Sequence, residues 1–195
     1  MKLPQLLVVL VASLVASASF AQTVASEVQR DVNQQQRIEN GLKSGQLNTK
    51  EAARLEKQEQ NISNAEAKAL KDGKLSQAEK QHIDQMQNKV SKNIEAEKHD
   101  GQLGNPNSAS SQRMQADVQR NVNQQQRIEN GVKDGSLTNH EVGKLEKGQA
   151  KVDGKEYRAG KGGHVGQHEQ KNIQHAENKQ SHKIHKNKTD GQNRS

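Results

Sequence analysis

The chain has 195 residues, 30 Lys and Arg against 23 Asp and Glu (net charge +7), 29% apolar residues, 1% aromatics and no cysteine. Even with its 15 glycines added, the apolar share stays below the roughly 45–50%, glycine included, of ordinary globular chains, so a large enzyme-like core is not expected. Without cysteine there is no disulfide, thiolate nucleophile, zinc ribbon or lipidated cysteine. One Phe and one Tyr cannot build a base-stacking platform, so nucleic acid is not an expected partner.

Residues 1–21 read as a secretory signal peptide: Lys2, the apolar run LLVVLVASLVA, then Ser19 and Ala21 as the small residues of a cleavage site near Ala21. The apolar run is shorter than the roughly 20 residues that span a bilayer, so no transmembrane segment is expected in the mature chain. The expected location is therefore periplasmic or secreted.

Beyond the leader the chain is a duplication. VQRDVNQQQRIENGLKSGQL from Val28 recurs as VQRNVNQQQRIENGVKDGSL from Val118, and the offset of 90 runs without a gap over residues 27–102, with 35 of 76 positions identical. Copy 1 spans residues 22–102 and copy 2 residues 114–195, joined by a Gly-, Asn-, Pro- and Ser-containing linker at 103–113.

Within copy 1 the apolar positions follow a helical period. Val24, Val28, Val32, Ile38 and Leu42 mark a first helix; Ala52, Leu55, Ile62, Ala65 and Ala69 a second; Ile83, Met86, Val90 and Ile94 a third. A recurring G-x-L joint separates them, in which Asn48 with Glu51, Ser76 with Glu79 and Thr138 with Glu141 have capping-box spacing. The fold class is all-α: two tandem copies of a three-helix antiparallel unit. Fourteen large apolar side chains between residues 24 and 100 are few for such a unit, which is marginal without a partner. In copy 2, Gly143, Gly148, Gly154 and Gly160 enter the middle helix, each at a cost of about 0.5–1 kcal/mol, so residues 148–166 are expected to be loosely structured and copy 2 partly disordered.

The segments QQQRIENGLKSGQLNTKEAARLEKQEQNI and DGKLSQAEKQHIDQMQNKVSKNIEAEKHD resemble a group of small exported proteobacterial proteins carrying QQxRIxxGxxSGxLTxxE and aDGxLtxxE. The resemblance covers copy 1 and the first third of copy 2, and implies an exported, helical protein without assigning a reaction.

Candidate sites are few. DGKLSQAE, from Asp72 to Glu79, imitates the end of an EF-hand loop, but Lys68 and Leu70 stand where carboxylates are needed, and a capped turn explains the same residues. Five of eight histidines, His164, His168, His175, His182 and His185, fall within about a 100° arc of one helix opposite Ile173 and Ile184. Imidazoles at such spacing suit Zn, Cu or Ni, and weak, multiple sites are expected from them. No H-E-x-x-H, nucleophile elbow or Walker loop occurs, and the many carboxylates read as exposed and balanced by neighbouring Lys and Arg.

Residues 27–100 are neutral, with 13 acidic and 13 basic side chains, whereas residues 117–190 carry 10 and 14, net +4. The expected function is that of an exported, non-enzymatic helical protein: a binding or envelope-associated module whose partner is an unknown protein or envelope component. The alternatives are periplasmic transition-metal binding or buffering through the His-rich helix, and electrostatic attachment to anionic envelope polymers. Exposed apolar stripes make self-association a further expectation.

Overall fold

In a computed structural model, which describes residues 12–192, with side chains from Thr23, the regular elements are all helical among those residues. They are α1 (Ala12–Ser44), α2 (Thr49–Ala69), α3 (Gln77–Lys98), α4 (Ala109–Lys133), α5 (Asn139–Gly160) and α6 (Gln167–Lys188), with a 3-10 turn, Leu70–Asp72, after α2. Residues 1–11 of the expected leader lie outside the described residues, and residues 12–21 fall in the first part of α1. No described helix is long and apolar enough to cross a membrane.

The joints form as their sequences dictate. Asn48 Oδ1 accepts the Glu51 amide at 3.0 Å while Glu51 Oε2 accepts the Asn48 amide at 2.9 Å. The Ser76–Glu79 and Thr138–Glu141 pairs repeat this reciprocal cap. In the EF-hand-like stretch both carboxylates are already engaged, Asp72 by the Lys74 amide and Glu79 by the Ser76 amide, and Gly73 (φ 81°) turns the chain. Thr138→Ala should lower stability by about 1 kcal/mol, read from the denaturation midpoint, because it removes the oxygen that satisfies the Glu141 amide.

The two copies do not build separate cores. One apolar cluster joins Ile38, Leu42, Leu47, Leu55 and Ile62 to Met114, Val118, Val165 and Ile173; the other joins Val24, Val28, Leu70, Leu75 and Ile83 to Ile128, Val132, Leu137, Leu145 and Ile184. The beginning of α1 thus meets the end of α4, and the beginning of α2 meets the end of α5. Both pairs run antiparallel across a pseudo-twofold, with α3 and α6 flanking them. Each copy is the partner that the other, with its few large side chains, requires.

Residues 148–160, expected to be loose, lie instead in the continuous helix α5, and its glycines sit at helix–helix contacts. A Cβ on Gly143 would lie 2.9 Å from Leu70 Cβ, and one on Gly160 would lie 2.7 Å from Ala53 Cβ. The missing side chains let the α2 and α5 backbones approach, and the packing gained offsets the helix-propensity cost.

Candidate metal centre

The seam between the central helices has a heptad spacing whose middle layers are acidic rather than apolar. Along α2 it reads Ala52, Glu56, Glu59, Ser63, Glu66, Leu70, and along α5 Val142, Glu146, Gln149, Asp153, Glu156, Gly160. The facing seams of α1 and α4 place Asp31 and Gln35, and Asn121 and Gln125, at the same level. Apolar residues close the stack at both ends, and so the fold carries these polar side chains into its interior: Glu56 and Glu156 are 0% exposed, Glu146 0%, Asp153 1%, Glu66 2% and Glu59 3%.

Two groups of three carboxylates result. Asp31, Glu66 and Glu146 each bring one oxygen within 4.8 Å of the others, and Glu56, Asp153 and Glu156 do the same. Amide side chains hold them: Gln87 Nε2 donates to Asp31 Oδ1 at 2.8 Å, Gln125 Nε2 to Glu146 Oε2 at 3.0 Å, Gln35 Nε2 to Glu56 Oε2 at 3.0 Å and Asn121 Nδ2 to Glu156 Oε2 at 2.7 Å. The equivalent donors Gln35 and Gln125 thus cross to equivalent acceptors, Glu56 and Glu146, in both halves. Ser63 Oγ lies 3.3 Å from Asp153 Oδ2, bridging α2 to α5.

No Lys, Arg or His forms an ion pair with any of these six carboxylates or with Glu59, among the described residues. Acids nearer the rim differ: Glu39 pairs with Lys43, Glu129 with Lys133, Glu27 with Lys80 at 3.0 Å and Glu177 with Arg120 at 3.2 Å. Neither oxygen of Glu66 receives a hydrogen bond from an amide or hydroxyl donor, and Oε1 of Glu59, Glu56, Glu146 and Glu156 lacks a partner as well. Asp31 and Glu66, and Glu56 and Glu156, each bring an oxygen within 4.8 Å of the other.

Burial dominates the electrostatics and favours the neutral acid. It pushes Asp31 and Glu56 up to about 7 and Glu146 to about 8. Burial, reinforced by repulsion from the surrounding carboxylates, carries Glu59, Glu66, Asp153 and Glu156 well above the ordinary range. For Asp31 alone, moving from 3.8 to about 7 means that the charged form is disfavoured by about 4 kcal/mol. Whole domains are stable by only about 5–15 kcal/mol, so the ion-free fold cannot hold all seven groups charged. Either protons or a multivalent cation must neutralise them.

The histidines lie elsewhere. His164 precedes α6, which starts at Gln167, and His164, His168, His175, His182 and His185 are all exposed, while Ile173 and Ile184 are buried beneath them. No His joins a three-ligand group among the described residues; in the remaining such group, Glu51, Glu97 and Asp100, Asp100 is exposed and the buried Glu51 already closes the α2 cap.

The carboxylates expected to be exposed and balanced by Lys and Arg are, in the central seam, neither. Their signal in the sequence is the 3-4 spacing of Glu56, Glu59, Ser63 and Glu66, three acids and a hydroxyl in register with the Ala52 and Leu70 ends, next to the Leu55–Ile62 stripe. Together the fold and this centre define an all-helical bundle with an acid-lined interior. No family model, curated protein or solved structure matches the chain.

Proposed function

We propose that the chain is an exported, non-enzymatic binding protein whose ligand is a hard multivalent cation held inside the bundle by carboxylates. The observation that carries this reading is the pair of three-carboxylate groups, buried and without an ion pair to any Lys, Arg or His among the described residues. Oxygen ligands select hard ions over the zinc, copper or nickel that imidazoles favour. An ion with metal–oxygen bonds of about 2.3–2.6 Å has opposite ligands roughly 5 Å apart, so three oxygens all within 4.8 Å of one another lie close enough to share one ion. Helical bundles build metal sites in their cores from side chains on facing helices, and here Asp31 of α1, Glu56, Glu59 and Glu66 of α2 and Glu146, Asp153 and Glu156 of α5 project inward, with no histidine among them.

Export through the leader at residues 1–21 and kinship with the small proteobacterial group belong to the same proposal, supported by the sequence features above. The exposed His row is the weaker metal reading, since it gathers no three ligands. The test is thermal denaturation of the chelator-treated chain with magnesium, calcium, manganese, terbium and zinc in turn. At least one hard cation should raise Tm by several degrees, more than zinc does, whereas no response to any hard cation would overturn the reading.

A further inference from the structure

Comparing the two acidic groups position by position shows a compensated exchange. Shifting the first group by the repeat offset takes Glu66 to Glu156 and Glu146 back to Glu56, both members of the second group, but takes Asp31 to Asn121. The carboxylate lost there is restored on another helix, because Ser63 of copy 1 corresponds to Asp153 of copy 2. Asn121 remains in the second group as a donor to Glu156, and Ser63 faces Asp153. Two substitutions of opposite sign on different helices therefore leave three carboxylates in each group.

A seventh acid lies between the two groups of three. Glu59, buried and with an unpartnered Oε1, feels the charge of Asp31 of the first group and of Glu56 and Asp153 of the second. Its charge adds to a negative field that no cationic side chain relieves at contact distance.

From this count we infer that each group binds one trivalent hard cation, two per chain, in preference to divalent ions. The inference rests on the cation-binding reading above and names its ligand class. Three ionised carboxylates neutralise a trivalent ion completely. A divalent ion would leave an uncompensated negative charge in a site shut off from water, where such charge is most costly. All available ligand atoms are hard oxygens, with the unpartnered Oε1 of Glu59 and the Oε1 atoms of Gln35 and Gln125 close by to complete a shell of high coordination number.

The test titrates terbium into the full, chelator-treated chain, counting bound ions by equilibrium dialysis and reading sensitised emission through Tyr157. Tyr157 is the only tyrosine of a chain without tryptophan and adjoins Glu156. Two terbium ions should bind, and calcium at about 100-fold excess should leave both in place, a preference of at least two powers of ten. Glu66→Gln should remove one ion and keep the Tyr157-sensitised emission, and Glu156→Gln should remove one ion and most of the emission; helicity measured on each variant shows whether it folds. Asp153→Asn, which leaves two carboxylates in the second group, should narrow the terbium-over-calcium preference there without altering the first group. Calcium displacing terbium at comparable concentration overturns the trivalent assignment and leaves the cation reading standing. Two ions retained in both Gln variants would place the binding elsewhere, and no binding of any hard ion overturns both.

Discussion

In chelator the protein should lose stability as pH rises from 5 to 8.5, with Tm falling by at least about 10 °C, the reverse of the usual carboxylate pattern. An acid that is more basic in the folded than in the unfolded state makes the fold hold more protons between those two pKa values. Stability is then fully present below the unfolded values near 4 and is lost as pH climbs through the folded ones, about 7 for Asp31 and Glu56 and about 8 for Glu146. The groups facing the centre come from every element around it. They are Asp31 and Gln35 from α1, Glu56, Glu59 and Glu66 from α2, Gln87 from α3, Asn121 and Gln125 from α4, and Glu146, Gln149, Asp153 and Glu156 from α5, with Glu177 of α6 acting on Glu156 from outside. Arg30 near Asp31 and Arg37 near Glu59 offset the burial only slightly, and Arg120 acts on Glu177 outside the centre.

Circular-dichroism melts in chelator at pH 5, 6, 7, 8 and 8.5 provide the measurement. Each kcal/mol moves Tm by about 2–4 °C in a body of this size, so disfavouring even one carboxylate by about 4 kcal/mol gives a shift easily seen. A bound multivalent cation replaces the protons and should flatten the profile on its alkaline side. A Tm that stays level in chelator from pH 5 to 8.5 would show that these acids are solvated, and the acidic interior would have to be abandoned.

Why the centre escaped a reading of the sequence, while the helices did not, follows from what each signal measures. Apolar periodicity finds the stripe that avoids water, and Val24, Val28, Ile38, Leu42, Leu55, Ile62, Ile83, Val90 and Ile94 are indeed buried. The caps at Asn48, Ser76 and Thr138 are local, because three consecutive peptide units settle them. Burial of Glu56 or Glu66 is not local: it depends on α5 lying across the same face, and α5 becomes a neighbour only when copy 2 packs on copy 1. A carboxylate followed by Lys57 or flanked by Lys68 looks the same on a solvated helix as on one whose opposite face is covered. The glycines of α5 misled for a related reason. Read alone, they weaken a helix, but read against α2 they are the gaps into which a neighbouring backbone fits.

That contact supports the second large effect: Gly143→Val should destabilise the protein by about 2–4 kcal/mol and Leu70→Gly by a similar amount, whereas the double variant should cost less than their sum. Leu70 follows α2 as the first residue of the 3-10 turn and Gly143 lies in the first turns of α5, and a Cβ at 143 would sit 2.9 Å from Leu70 Cβ and 3.3 Å from Leu70 C and O, too close for either backbone to ignore. The counterpart contact across the pseudo-twofold, Gly160 against Ala53, has the bulk removed from the other partner, with Met114 closing the gap. Moving the bulk from 70 to 143 therefore converts one arrangement toward the other and should relieve the clash. Denaturant midpoints of the four members of this cycle measure the coupling, expected at about 0.5–3 kcal/mol in favour of the double variant. Strict additivity would mean that α2 and α5 do not touch there. The acids of the central seam would then lack the neighbour that buries them, so this cycle probes the carboxylate centre through packing alone, with no ion and no titration involved.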